Sequence, residues 1–223
     1  MKKFRIGAMP APISDSLKQR LAEVETATVG HVRHWGFMDP RIQPLGHTRR
    51  VVGVAVTLAL PAQDSTLLHH TLGLLKPGHI VVIDRLGDRK HACWGGGVTN
   101  AAHAAGATAA IVDGMATDPL EIAELKFPVW CRGIAPITTR IYDLGGMLNM
   151  PVSCGGAVVN PGDIILADEN GVLVLPPEDV EEVIEYATAK QKRGHENVAR
   201  IHQGAKLGDL SGATKFVEKD AAN

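Results

Sequence analysis

The feature that most constrains the fold is a repeated order of apolar strand-like runs and helix-like segments. The runs "TRRVVGVAVTLAL", which starts at Thr48, "HIVVID" and "ATAAIVDG" are rich in β-branched residues, which favours strands. The helix-like segments between them are "DSTLLHHTLGLL", which starts at Asp64, and a small-residue run that follows three glycines and that Gly106 ends. This alternation predicts a single α/β domain.

Both ends of the chain predict helices that flank this domain. Residues 13–28 form an amphipathic pattern with Ser14 or Asp15 as N-cap. After residue 155 the pattern predicts strand, Pro-Gly turn, strand, Asn-Gly hairpin and strand, and then a long helix that Gly194 bends or breaks. We expect one domain over residues 1–223, with its core at about 20–205 and a loosely held polar tail at 206–223.

Charge and cysteine usage exclude several classes of protein. The formal net charge is −1, so no basic field favours nucleic acid or a membrane surface as a partner. No run approaches the roughly 20 apolar residues of a membrane span, and the N-terminus lacks the apolar core of a signal peptide. Cys93, Cys131 and Cys154 show neither paired spacing nor a CxxC motif. We therefore expect a cytoplasmic protein.

The three glycines in "WGGGVTNAAHAAG" are the first candidate site. Gly95, Gly96 and Gly97 follow a predicted strand and precede a predicted helix, an arrangement in which backbone amides bind anions. A dinucleotide fingerprint would require glycine where Asn100 stands, and no Gly-Lys-Ser/Thr of a P-loop follows. The alternative is a tight turn with close packing.

Two aspartates follow the next predicted strand in "VDGMATD". We interpret Asp113 as closing a turn before Gly114. Asp118 has two open interpretations: a carboxylate for a hard cation such as Mg²⁺, or the N-cap of a helix that Pro119 starts. Spacing alone does not decide between them.

Other catalytic patterns are missing from the sequence. Neither HExxH nor GxSxG occurs. A Schiff-base lysine would have to be buried, whereas Lys76, Lys90 and Lys126 all fall in predicted turns or helix ends. His103 lies on the glycine-led helix, where we favour a packed or surface role.

Several segments together resemble one known family. In chain order they are "KPGHIVVID", "ACWGGG", "AAGATAAIVDGMATD", "FPVWCRGIAP" and "VNPGDIILADENGVLVLP". The family holds the regulator of ribonuclease E activity A and the 4-hydroxy-4-methyl-2-oxoglutarate aldolases, and the resemblance covers roughly residues 20–205.

The resemblance implies a fold, an assembly and an activity. It implies a β/β/α swivelling-type layered fold, assembled as homotrimers or homohexamers with sites between subunits. The enzymes of the family are pyruvate aldolases that depend on a divalent metal and also decarboxylate oxaloacetate. Their signature is an acid, twenty intervening residues, and Arg-Asp. Carried over by position, Asp118 holds Mg²⁺ or Mn²⁺, and the loop amides of Gly97 and Val98 bind the 2-oxo acid carboxylate.

The chain departs from this signature at two positions. The signature arginine falls on Thr117 and the upstream acid on Gly96. A threonine does not supply the bidentate cation of arginine, and a glycine orients no water. Arg132 is a candidate for the missing charge, with a salt bridge as the alternative. Glu196 is the positional match for a glutamate that the neighbouring subunit contributes.

These features lead to one expected function and two alternatives. We expect a lyase that cleaves or decarboxylates a 2-oxo acid through a metal-bound pyruvate enolate. One alternative is a non-catalytic regulatory protein of the ribonuclease-inhibitor type. The other is a different enzyme of sugar-acid catabolism on the same scaffold.

Overall fold

The computed structural model describes residues 2–46 and 49–221. The strands are β1 (Phe4–Ile6), β2 (Gln43–Pro44), β3 (Val51–Ala59), β4 (His79–Asp84), β5 (Ala92–Trp94), β6 (Ala109–Ala116), β7 (Val129–Ile134), β8 (Gly146–Leu148), β9 (Val152–Cys154), β10 (Ala157–Val159), β11 (Ile164–Asp168) and β12 (Gly171–Leu175). The α-helices are α1 (Asp15–Ala22), α2 (Thr26–Val29), α3 (Thr66–Leu72), α4 (Gly96–Ala104), α5 (Pro119–Glu124), α6 (Val180–His202), α7 (Leu207–Ser211) and α8 (Ala213–Ala221). A 3₁₀ turn, Pro177–Asp179, precedes α6.

A mixed sheet forms the centre of the molecule. Strands β3, β4, β6 and β7 pair in parallel in that order, and β8 and β11 join β3 antiparallel. The short strand β5 runs parallel to the end of β6, where Trp94 pairs with Ala116. This pairing places the glycine loop after β5 beside the residues that follow β6.

The two faces of the sheet are covered differently. Along β3, Val54 and Leu58 face the helices, whereas Ala55 packs on the opposite face with the two-stranded hairpin β9–β10. Helices α3, α4 and α5 cover one part of the helical face, and α1, α2 and α6 cover another. The predicted α/β class is confirmed.

The predicted helix over residues 13–28 is two helices. Ser14 caps α1, since its hydroxyl accepts a hydrogen bond from the Leu17 amide at 3.3 Å, so the first of the two proposed caps is confirmed. The chain then turns, and α2 begins at Thr26, whose amide and hydroxyl both donate to the buried carboxylate of Asp168 at 2.9 and 2.6 Å. One continuous helix is therefore wrong, because Asp168 fixes a second helix start.

Helix α3 begins later and ends earlier than the sequence predicts. Asp64 precedes it, and its carboxylate accepts hydrogen bonds from the Thr66 amide at 2.9 Å and from the Leu144 amide at 2.8 Å. The helix ends at Leu72, with Gly73 as C-cap, before the predicted stop at Lys76. Strand β3 begins at Val51, and the predicted strand start at Thr48 lies outside the described residues.

The C-terminal region is more helical than expected. Helix α6 runs without interruption from Val180 to His202, so a break at Gly194 is wrong, while a bend there stays a prediction. A glycine in a helix interior costs about 1 kcal/mol, which a helix of 23 residues can carry. Helices α7 and α8 follow, and all their residues are exposed or only partly buried. Within residues 2–46 and 49–221, no helix combines the length and apolar character that crossing a bilayer requires.

Candidate active site

The glycine loop and the end of β6 are held together by their backbones. The Thr117 amide donates a hydrogen bond to the Trp94 carbonyl at 2.8 Å, which continues the β5–β6 pairing. A β-carbon at Gly95 would lie 2.7 Å from Asp118 Oδ2 and 2.7 Å from Thr117 Cγ2. Position 95 therefore has room only for glycine while Asp118 and Thr117 keep these places.

Asp118 has an unusual backbone conformation and a fixed carboxylate. Its φ of 54° and ψ of 48° lie in the left-handed region, which a residue with a β-carbon seldom adopts. Its Oδ2 accepts from the Gly96 amide at 3.0 Å and its Oδ1 from the Thr117 hydroxyl at 3.2 Å. Asp118 stands at the N-cap position of α5, but its side chain caps no amide of that helix. The carboxylate is turned toward the glycine loop instead.

A second carboxylate, which the sequence analysis did not single out, lies against the same loop. The carboxylate of Glu121 occupies the space that a side chain at Gly96 would fill, with Oε1 at 2.7 Å from the β-carbon position. Asn100 Nδ2 donates to Glu121 Oε1 at 2.8 Å and to the Gly96 carbonyl at 3.0 Å. A sequence signal was available, since Glu121 lies in the first turn of the helix that Asp118 precedes.

The rest of the glycine loop is open. The amides of Gly97 and Val98 belong to the first turn of α4, where an α-helix leaves N–H groups without an intrahelical acceptor. A β-carbon at Gly97 would meet no atom within 4 Å. An open groove continues from this point, lined by residues of α3 and α4 that include His69 and Leu72. Free amides at the positive end of a helix suit an anion.

Arg132 lies in a salt-bridge network and not beside Asp118. Its guanidinium bonds the carboxylate of Asp113 through Nε and that of Asp39 through Nη1, the latter at 3.0 Å. Asp113 precedes Thr117 by four residues along extended chain, a separation of roughly 13 Å. Of the two roles expected for Arg132, the structure therefore shows the salt bridge.

Asp113 differs from its predicted role. It lies inside β6, which continues through Ala116, so the interpretation as a turn residue is wrong. Its carboxylate accepts a hydrogen bond from the Gly155 amide at 2.8 Å and forms a salt bridge with Arg89 Nη2 at 3.1 Å. Asp113 therefore ties the sheet to the β9–β10 hairpin.

Glu196 lies on the exposed C-terminal half of α6. The N-terminal half of that helix packs through Val183 and Ile184 into the core that α1 and α2 share. The single chain therefore does not bring Glu196 to Asp118, and its expected contribution from a neighbouring subunit stays a prediction. Lys76, Lys90 and Lys126 are all exposed, as their predicted positions in turns and helix ends imply.

The donor set at this site fits some cations and not others. Among the described residues, no three His, Cys, Asp or Glu side chains converge as a preformed metal cage. Asp118 and Glu121 offer exposed carboxylate oxygens, the ligand type that Mg²⁺ and Mn²⁺ prefer, and Mg²⁺ commonly keeps several waters. The site lacks the nitrogen and sulfur ligands typical of Zn²⁺.

Fold and site together define a mixed α/β protein in which two carboxylates lie against the glycine loop at the start of α4. The RraA-like family model, described as Aldolase/RraA, matches residues 13–174, and the chain belongs to this family. The family predicted from the sequence segments is thus confirmed.

Individual relatives agree with this assignment. A protein of Halalkalibacterium halodurans named "Putative 4-hydroxy-4-methyl-2-oxoglutarate aldolase" is 35% identical over 150 residues, 67% of this chain and 71% of that protein. The crystal structure of Streptomyces coelicolor RraAS2, described as an unusual member of the RNase ES inhibitor RraA protein family, has a TM-score of 0.71 at 25% identity, covering 85% of this chain and 98% of that one. An uncharacterized Pseudomonas syringae protein shares the fold, with a TM-score of 0.76 at 21% identity over 93% of this chain and 98% of its own.

Proposed function

We propose that this protein is a divalent-metal-dependent lyase that cleaves or decarboxylates a 2-oxo acid and releases pyruvate. The observation that carries the proposal is the meeting of Asp118 with the amino-terminal turn of α4. The Asp118 carboxylate is fixed at 3.0 Å from the Gly96 amide, while the next two amides have no intrahelical acceptor. This geometry supports a cation site beside an anion site, as the carboxylate and keto oxygens of a 2-oxo acid require.

Each part of the loop has a role in this proposal. The amides of Gly97 and Val98 bind the substrate carboxylate, and the open space at Gly97 admits it. Asp118 would hold Mg²⁺ or Mn²⁺ through its exposed carboxylate. When bound, that cation supplies Lewis-acid chemistry toward the 2-oxo group. The Thr117 hydroxyl orients Asp118 and adds no charge, so the helix amides carry more of the stabilisation of the developing anion.

The name of the Halalkalibacterium halodurans relative supports the same class of reaction. That protein is 35% identical to this chain over 150 residues. Retro-aldol cleavage of 4-hydroxy-4-methyl-2-oxoglutarate and decarboxylation of oxaloacetate are therefore the first reactions to test.

The test is a pyruvate-release assay on protein stripped with EDTA, with and without Mn²⁺, on both substrates. We expect release that requires Mn²⁺ and that falls at least 100-fold in Asp118→Asn. Asp15→Asn, an exposed aspartate at the start of α1, is the matched control and keeps the wild-type rate. Mn²⁺ binding without release from either substrate would contradict these two reactions and favour another sugar-acid substrate.

A regulatory protein without catalysis is the second candidate. One observation favours it: among the described residues, no arginine or lysine pairs with Asp118 or Glu121, although the signature places an arginine at position 117. RraAS2, described within an RNase ES inhibitor family, shows that the fold occurs in such a protein family. This candidate would be established by a protein that binds no Mn²⁺, releases no pyruvate and inhibits a ribonuclease in a direct assay.

A further inference from the structure

Although Gly96 supplies no acidic side chain, the site contains two carboxylates, those of Asp118 and Glu121. Gly96 is buried, and the space its β-carbon would take is filled by the carboxylate of Glu121, which reaches it from α5. Even an alanine at position 96 would have to displace that carboxylate. Glycine at position 96 therefore makes room for the carboxylate of Glu121.

Among the described residues, one oxygen of the Glu121 carboxylate accepts a hydrogen bond and the other does not. Asn100 Nδ2 donates to Oε1 at 2.8 Å and is itself anchored to the Gly96 carbonyl at 3.0 Å. Oε2 accepts no hydrogen bond from the described part of the chain, and it lies closest to Gly96. Asp118 differs, since both its oxygens accept hydrogen bonds, from the Gly96 amide and the Thr117 hydroxyl. The two carboxylates are thus unequal: Asp118 is fixed on both oxygens, and Glu121 presents a free acceptor.

We propose that Glu121 is the catalytic base of the site, a role that rests on the lyase function proposed above. Its Oε2 takes the proton of the 4-hydroxyl group of a 4-hydroxy-2-oxo acid. The O–H electron pair then forms the new C4 carbonyl, and the C3–C4 pair becomes the C2–C3 double bond of pyruvate enolate. After the C4 product leaves, the Glu121 carboxyl returns the same proton to C3. Pyruvate forms, the carboxylate is restored, and no external oxidant or reductant takes part.

This role separates the two reactions of the proposed enzyme. Cleavage of a 4-hydroxy-2-oxo acid needs a base for the hydroxyl proton, whereas oxaloacetate loses CO₂ without any proton being removed first. We therefore expect Glu121→Gln to lower kcat for cleavage of 4-hydroxy-4-methyl-2-oxoglutarate by about 100-fold or more. Decarboxylation of oxaloacetate by the same variant falls by less than about tenfold. Damage to the structure alone would lower both rates alike.

A binding measurement checks the assignment without turnover. Mn²⁺ affinity, followed by electron paramagnetic resonance, and oxalate affinity of the Mn²⁺-loaded protein, followed by calorimetry, stay within about tenfold of wild type in Glu121→Gln. Glu124→Gln, one turn further along α5 and exposed, is the matched control and keeps both rates and both affinities. The double variant Gly96→Asp/Glu121→Ala puts a carboxylate back in the same space and recovers part of the cleavage rate.

Three results would overturn the assignment of Glu121 while leaving the lyase in place. They are wild-type cleavage by Glu121→Gln, equal losses in cleavage and decarboxylation, and loss of Mn²⁺ binding, which would make Glu121 a ligand and not a base. A wild-type protein that releases pyruvate from neither substrate would overturn the two proposed reactions and this inference together.

Discussion

The three glycines of the loop have different surroundings. Gly95 faces Asp118 and Thr117, Gly96 faces Glu121, and Gly97 faces open space. A general preference for glycine before a helix would not distinguish these positions, but the side chains around them do. We therefore expect the same substitution to have different effects on stability at these neighbouring glycines.

Gly95→Ala and Gly97→Ala should change stability in opposite directions. The new β-carbon at position 95 would lie 2.7 Å from Asp118 Oδ2, so either the loop or the carboxylate has to move, at a cost of about 1–3 kcal/mol. At position 97 the β-carbon enters open space within α4, where alanine gains about 0.5–1 kcal/mol over glycine. Urea unfolding followed by circular dichroism measures both changes. Equal free energies of unfolding for the two variants would contradict the packing at Gly95.

Asp64 links acid stability to one buried carboxylate. Burial acts to raise the pKa of Asp64, but hydrogen bonds from Thr66, Tyr142 and Leu144 outweigh it and hold the pKa at about 2. The folded pKa thus lies below the unfolded value of about 3.9, so the stabilisation is complete above pH 4 and is lost as the pH falls through 2. The full difference corresponds to about 2.6 kcal/mol.

The prediction for Asp64 is tested by the pH dependence of unfolding. Wild type should lose stability between pH 4 and pH 2, and Asp64→Asn should lose about 2 kcal/mol less over that interval while being less stable at pH 7. Asp15→Asn is the matched control, because Asp15 is exposed at the start of α1, and it keeps the wild-type profile. An unchanged profile in Asp64→Asn would show that other carboxylates carry the acid transition.

Part of the site could be predicted residue by residue, and part could not. Position in the signature singled out Asp118 and the loop amides, and the structure does place the Asp118 carboxylate on that loop. Glu121 was missed, because its place at the site depends on its carboxylate filling the space beside Gly96, a contact that the local sequence pattern does not show. Arg132 was open between a site residue and a salt bridge, and its partners Asp113 and Asp39 come from distant parts of the chain.

At the scale of elements, local pattern predicted strands better than helix ends. The strand "HIVVID" is found over its predicted range as β4, and the Pro-Gly turn and Asn-Gly hairpin form as expected. The helix over 13–28 failed because Thr26 binds Asp168, a residue 142 positions later in the sequence. Such a contact leaves no trace in the local pattern. The swivelling-type arrangement of the layers stays a prediction.

Gly194 and Gly204 should respond oppositely to alanine. Gly194 lies inside α6 with nothing within 4 Å of its β-carbon position, so Gly194→Ala should add about 0.5–1 kcal/mol to the free energy of unfolding. Gly204 follows α6 with a φ of 97°, which an alanine adopts only with strain, so Gly204→Ala should destabilise. Thermal and urea unfolding of both variants check the pair. A loss of stability in Gly194→Ala would indicate that the helix bends there after all.

At the scale of the whole molecule, the sheet separates two cores that share its strands. Cys93 and Cys131 pack among the residues under α3, α4 and α5, whereas Cys154 packs on the other face with the β9–β10 hairpin. Burial raises the pKa of the Cys93 thiol to about 11 and raises the pKa of Cys131 and Cys154 as well. The three free cysteines therefore report on both faces of the sheet.

Thiol reactivity can test whether the two faces unfold as one domain. The thiolate is the reactive form, so all three buried cysteines should stay inert to a disulfide reagent at pH 8 in the native state. In increasing urea they should become reactive in a single transition that coincides with the loss of helical signal, because β3, β4 and β6 contribute to both cores. An exposed cysteine introduced by Ser16→Cys reacts at once and serves as the control. If mass spectrometry finds Cys154 modified before Cys93 and Cys131, the hairpin layer opens by itself and the chain is not one cooperative domain.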